Sequence, residues 1–245
     1  MSFIKRHFAY ASPRFGRSKS EQRREPYRDN VWYLWWEFLR RNHEYRQCCL
    51  DGGDGRLNSL YKDFGDIYTV DFKTWWKTDD RGAYLFSEEP LAQFGLVPDI
   101  NKISNHEDVL LIQVPLSLPK RYLQTEFLKL LDQHHQGKRG IKTNRISTAR
   151  YKISGHIDLI ALQKCLLVYD MRIENPKLPL WQIAQKCRLG KRENWITDAD
   201  LKGKGNLIGQ ISDKKMILAN TASRLIKKAE RIIEGTADGV FPKLK

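Results

Sequence analysis

Apolar residues along this chain recur mostly at three- and four-residue intervals, the spacing that places side chains on one face of an α-helix. Trp32, Trp35, Trp36 and Leu39 form the first such set, after Asp29 and Asn30, either of which suits a helix N-cap. Leu57, Leu60, Tyr61 and Phe64 form a second beyond the Asp51-Gly-Gly-Asp-Gly break, followed by extended sequence and the Trp75–Trp76 pair. Val109 to Leu116 departs from this period: a short, mostly apolar and partly β-branched run predicts a strand. Leu123, Phe127, Leu130 and His134 then line a helix opened by Ser117 and Pro119. Ile157, Ile160, Ala161, Val168 and Met171 predict another, ending before Asn175-Pro176. Leu180, Ile183, Ala184 and Cys187 mark a short helix that stops at Gly190. Leu218, Ala222, Leu225, Ala229 and Ile232 mark a longer third one, from about Asp213 to Glu234.

The expected fold class is mainly α, with a small α/β middle segment and a C-terminal helix-turn-helix-like three-helix domain. Four regions follow: a basic flexible arm over 1–28, an aromatic helical N-terminal module over 29–90, a small strand-helix segment over 106–136, and a helix-turn-helix-like DNA-binding domain over 153–245. Pro90–Asn105 and Gly137–Lys152 read as linkers. Lys191 to Ser212 separates the second and third helices of the last domain, where a compact motif has a turn of roughly three to four residues. That insertion reads as a β-wing or a mobile segment. The aromatic stripe on the first helix reads as core, with a base-stacking platform as the alternative.

Charge sharpens the picture. Lys plus Arg number 43 against 29 Asp plus Glu, a formal net charge of +14, which is the electrostatic footprint of a nucleic-acid binder. Arg224, Lys227, Lys228 and Arg231 fall at i, i+3, i+4 and i+7, on a different face of the third helix from its apolar one. Like charges at i, i+4 repel by roughly 0.2–0.5 kcal/mol per pair, and a polyanion along the stripe offsets that repulsion. Lys214, Lys215, Asn220 and Thr221, near the expected start of this helix, are candidates for base edges, because the N-terminal part of a recognition helix lies deepest in the groove. Asn220 suits adenine and Arg224 suits guanine; Lys227, Lys228 and Arg231 suit phosphates. Arg14 and Arg17 lie in the basic arm, which can follow phosphates or enter a minor groove. Lys138, Arg139, Lys142 and Arg145 lie in the second linker, which has no acid between Gly137 and Lys152 and can supply affinity without sequence information. A solvated terminus and a solvated connector are the plain alternatives for these two segments.

Catalytic patterns are sparse. Asp66, Asp71 and Lys73 match the minimal acid, acid-x-Lys pattern of a metal-dependent nuclease, but no apolar strand run flanks them, and a loop-edge ion pair is the competing reading. Neither a Gly-rich phosphate loop nor a Gly-x-Ser-x-Gly elbow occurs. Cys48, Cys49, Cys165 and Cys187 include no Cys-x-x-Cys pair, and the adjacent His134 and His135 cannot share a helix face as an i, i+4 ligand pair does. No metal site, no cofactor and no enzymatic activity is expected. No apolar stretch reaches the length of a membrane span, the N-terminal residues lack the apolar run of a secretory signal, and the thiols read as reduced. The expected location is therefore the cytoplasm, with no membrane partner.

Leu166-Leu167-Val168-Tyr169-Asp170, Trp181-Gln182-Ile183-Ala184 and Ser223-Arg224-Leu225-Ile226-Lys227-Lys228-Ala229, in that order, resemble a transcription-factor-like DNA-binding domain family of bacterial proteins common on mobile elements. Trp35-Trp36-Glu37-Phe38-Leu39-Arg40-Arg41-Asn42, followed by Tyr45-Arg46, is similar to the transcriptional-regulator-like domain often fused ahead of it. The resemblance covers the helix at 30–48 and the region from 155 onward. It implies sequence-directed binding of duplex DNA by a bacterial transcriptional regulator or mobile-element accessory factor, with a homodimer as the form that reads paired half-sites. The alternative is a nucleic-acid-binding subunit of a larger RNA-guided or defence nucleoprotein complex. There the aromatic module would dock a protein partner and the basic elements would grip RNA or single strands.

Overall fold

Trp32, Trp35 and Trp36 lie on one nine-residue helix and are each at most 2% exposed, and the rest of the molecule's main core is assembled around them. The computed structural model describes residues 7–88, 110, 112–134, 147, 149–198, 200 and 207–243. These residues are mainly helical, and the chain divides into two compact units: Arg6–Glu88 with Thr148–Lys245, and Met1–Lys5 with Glu89–Ser147.

The larger unit begins with β1 (His7–Phe8), α1 (Lys19–Arg23), α2 (Val31–Leu39), α3 (His43–Leu50), α4 (Asn58–Phe64), α5 (Phe72–Lys77), α6 (Arg81–Phe86) and β2 (Ser87–Glu88). β1 and β2 pair antiparallel, with Phe8 opposite Ser87. The smaller unit contributes α7 (Lys120–His134), which has half-buried Leu123, Phe127 and Leu130 along one side. The larger unit resumes with α8 (Leu159–Glu174), α9 (Leu180–Lys186) and α10 (Leu207–Ala237). The strand expected over Val109–Leu116 is not formed at Leu110 or at 112–116; Val109 and Leu111 lie outside the described residues.

Side-chain caps set where the helices start. Asn30 accepts the Trp32 N–H at 3.0 Å and opens α2; Asn42 accepts the Tyr45 N–H at 2.8 Å and opens α3. Each satisfies a backbone donor that the helix leaves unpaired. Asn42 also donates to the Ile233 carbonyl at 3.0 Å, so one buried side chain both caps α3 and ties it to α10. The aromatic core is closely packed: Trp32 stacks on Phe86 at 4.5 Å between ring centroids, Phe64 meets Tyr151 edge-on at 4.9 Å, and Trp35 stacks on Phe241 at 5.2 Å. Gly82 is required here, because a Cβ at that position would lie 2.2 Å from the Trp76 ring.

The N-terminal helices and the C-terminal helices therefore share one core. Tyr151, Leu162, Cys165, Leu166, Ala229, Ile232, Ile233 and Phe241 belong to the same buried cluster as Trp32 and Trp35. Arg41 reinforces the junction, donating twice to Asp170 of α8 at 2.6 Å and to both the carboxylate and the carbonyl of Glu37 at 2.6 Å. A second cluster (Val168, Ile183, Ala184, Cys187, Leu189, Ile196, Leu218 and Ala222) holds α8, α9 and α10 together. Leu225 packs against both.

The expected flexible arm is, over its described residues, attached to this body. Phe8, Tyr10, Phe15 and Tyr27 pack on the core, and the Asn30 side chain donates to the Ala11 carbonyl at 2.8 Å. Ser18 and Glu21 form a reciprocal capping box on α1. The segment has too few apolar residues to make a core of its own, and it orders by adding its aromatic rings to an existing one.

Candidate nucleic-acid interface

α10 is a 31-residue helix, about 46 Å long at 1.5 Å per residue. One side is fixed by the fold: Leu218, Ala222, Ala229 and Ile232 are fully buried. Residues on the opposite side follow from helical spacing. Ile217, Asn220, Arg224, Lys227, Lys228 and Arg231 stand at i, i+3, i+7, i+10, i+11 and i+14, which lines them up along a ridge about 21 Å long. Arg224, Lys227 and Arg231 are exposed and Lys228 is half-buried. Among the described residues, none of the four is paired to an acid within 4.0 Å. Glu230 and Glu234 are exposed on one flank of the ridge.

α10 begins at Leu207, earlier than the expected start near Asp213. Lys214, Lys215, Asn220 and Thr221 are consequently about two to four turns inside the helix. Nor do the two lysines face outward. Lys214 binds Asp200 at 3.2 Å, and the Lys215 ammonium lies 5.1 Å from the centre of the Trp181 ring. Asp200 accepts the Thr197 N–H and hydroxyl as well as Lys214, and these contacts, the Thr197 ones first, hold its carboxyl below the usual range. Thr221 is half-buried and its hydroxyl donates to the Ile217 carbonyl at 2.8 Å, whereas Asn220 is exposed. Of the residues expected to meet base edges, Asn220 and Arg224 retain free polar ends at the surface.

The stretch after α9 is folded back on the second cluster. Gln185 donates to the Ile196 carbonyl at 2.7 Å and accepts the Ile196 N–H at 3.1 Å, the Trp195 indole donates to the Leu189 carbonyl at 2.9 Å, and Ile196 is buried. The expected insertion over 191–212 is thus ordered from Lys191 to Asp198 and helical from Leu207; Lys202 to Gly205 lie outside the described residues. The connection from α9 to α10 runs over 187–206, far longer than the turn of a compact helix-turn-helix.

Arg14 and Arg17 are exposed on the N-terminal segment. Lys138, Arg139, Lys142 and Arg145 lie outside the described residues. Arg150, from the same basic linker, binds Asp63 at 2.7 Å and so is part of the fold. The Trp32, Trp35 and Trp36 rings are buried and cannot stack on bases from the surface. Asp71, the acid of the nuclease-like pattern, caps α5: it accepts the Lys73 and Thr74 N–H groups at 2.9 and 3.1 Å and the Thr74 hydroxyl at 2.6 Å. Asp66 accepts the Tyr68 N–H at 2.8 Å. Neither carboxylate stands on a strand, and among the described residues no group of three or more His, Cys, Asp or Glu side chains converges as a metal site would require.

Met216 and Ile217, 57% and 43% exposed, border the same ridge and were not singled out by charge or spacing. No helix among the described residues is long and apolar enough to cross a membrane. Comparisons with family models, curated proteins and solved structures gave no match.

Proposed function

We propose that this chain is a sequence-directed duplex-DNA-binding protein, a bacterial transcriptional regulator or mobile-element accessory factor working in the cytoplasm. The observation that carries this reading is the α10 ridge: three exposed cations and one half-buried, in line, without acidic partners among the described residues, on a helix rigidly packed along its other side. A helix is the element that fits the B-form major groove, and a basic helical face raises both affinity and association rate for a polyanion. α8 and α9 serve as the scaffold that presents α10, in a helix-turn-helix-like plan with an enlarged second connection. Exposed Arg14 and Arg17 supply further phosphate contacts.

Selection from a pool of randomised duplexes tests this reading. It predicts enrichment of a short motif and tighter binding to that motif than to a scrambled duplex or a structured RNA hairpin. Equal binding to the motif, the scramble and heparin contradicts sequence direction. Preference for the hairpin favours the RNA-bound subunit instead. In that case the partner-docking role needs a surface other than the buried tryptophans.

A further inference from the structure

The ridge of α10 changes chemistry halfway along. From Arg224 to Arg231 it is cationic. From Asp213 to Thr221 it presents exposed Asp213, Met216, Ile217 and Asn220, and the only cations of that half, Lys214 and Lys215, are turned onto Asp200 and Trp181 on other sides of the helix. An exposed acid and two large apolar side chains make a poor phosphate grip. They match base edges well: Ile and Met can pack on the thymine C5-methyl, Asn pairs bidentately with adenine, and Asp accepts from the cytosine amino group.

We infer that the first half of the α10 ridge is the specificity-determining surface, with Ile217 and Met216 reading thymine methyl groups beside Asn220, while the second half holds phosphates. This rests on the duplex-DNA reading above and adds to it which residues select sequence and by what contact. Lys214 and Lys215 take the part of positioning residues. Their contacts, Lys214 with Asp200 of the α9–α10 connection and Lys215 with the Trp181 ring of α9, hold the flanks of the helix and keep positive charge away from the reading surface.

The test uses the full chain and the duplex motif enriched from the randomised pool. Single thymines in that motif are replaced by deoxyuridine, which removes only the methyl group. For wild type, one or two such replacements weaken binding about fivefold to tenfold each. Ile217→Ala or Met216→Ala gives a similar loss on the thymine duplex and no further loss on deoxyuridine, with affinity for a scrambled duplex kept within about twofold and the salt slope unchanged. Ile217→Val, which keeps a γ-methyl contact, recovers part of the discrimination. Both residues are exposed, and a melting curve for each variant verifies the fold. If wild type enriches a motif but every variant shows the same deoxyuridine profile as wild type, the specificity assignment is overturned and the duplex-DNA reading stands. If wild type enriches nothing, that reading is overturned and this one falls with it.

Discussion

Arg41, Arg150, Lys214 and Lys215 differ from Arg224, Lys227, Lys228 and Arg231 in what surrounds them, though the two sets are alike in charge. In the first set each cation has a partner within the fold: Arg41 has Asp170 and Glu37, Arg150 has Asp63, Lys214 has Asp200, and Lys215 has the Trp181 ring. In the second set no described acid takes that place: Arg224, Lys227 and Arg231 are exposed and Lys228 is half-buried beside them. A net charge of +14 says that cations are in excess. It does not say which of them are excess. Partnering decides that, and on α10 it separates Lys214 and Lys215, held within the fold, from the four cations farther along the helix, which have no described acidic partner.

The comparison can be broken by removing each set in turn. Replacing Arg224, Lys227 and Arg231 together by alanine has the largest expected effect, a loss of roughly 100-fold in duplex affinity if each contact is worth about 1 kcal/mol net. The melting temperature should stay near that of wild type, because these side chains are exposed; fluorescence anisotropy and calorimetry on one preparation check both halves. A matching fall in stability would place the three residues in the first set. Arg41→Ala should show the reverse: destabilisation of about 2–3 kcal/mol in urea unfolding, from the stranded, partly buried Asp170 and Glu37, with duplex affinity unchanged where the variant is folded.

Asp200→Asn has the smallest effect and sharpens the contrast. It should lower the melting temperature slightly at neutral pH by weakening the hold on Lys214 and on Thr197. The sign of its pH dependence follows from the depressed carboxyl of Asp200. A carboxyl that ionises more readily folded than unfolded adds stability above its ordinary range of about 4, and that contribution disappears as pH falls through the folded value. Wild type and Asp200→Asn should therefore differ at pH 7 and converge in acid. A difference that persists below pH 3 would show that the carboxylate charge is not what holds Lys214.

Much of this arrangement was legible from sequence where the signal is local. The apolar face of α10 and the aromatic face of α2 follow from three- and four-residue spacing alone, and both are buried. The short α9 follows from Leu180, Ile183 and Ala184. What could not be read is set by distant partners. Arg41 and Asp170 are 129 positions apart and Asn42 and Ile233 are 191 apart, so the shared core of N- and C-terminal helices leaves no local mark. The start of α10 was missed because Gly209 weakens the helical signal there, by about 1 kcal/mol relative to alanine, although the helix runs through it. The anchored N-terminal segment was missed because Phe8, Tyr10 and Phe15 are spread among Ser, Pro and Gly, with their packing partners elsewhere in the chain. Within the candidate site, the four-residue cationic stripe was legible. The withdrawal of Lys214 and Lys215 onto Asp200 and Trp181 was not.

The dependence of duplex affinity on salt tests the central claim most directly, since it counts phosphates neutralised and is indifferent to sequence. For about six contacts, log affinity against log salt should fall with a slope of roughly −5, and the Arg224, Lys227 and Arg231 triple alanine variant should flatten it by roughly 2.7. A slope near zero for wild type, or one that the triple variant leaves unchanged, would contradict the assignment of the α10 ridge to nucleic acid.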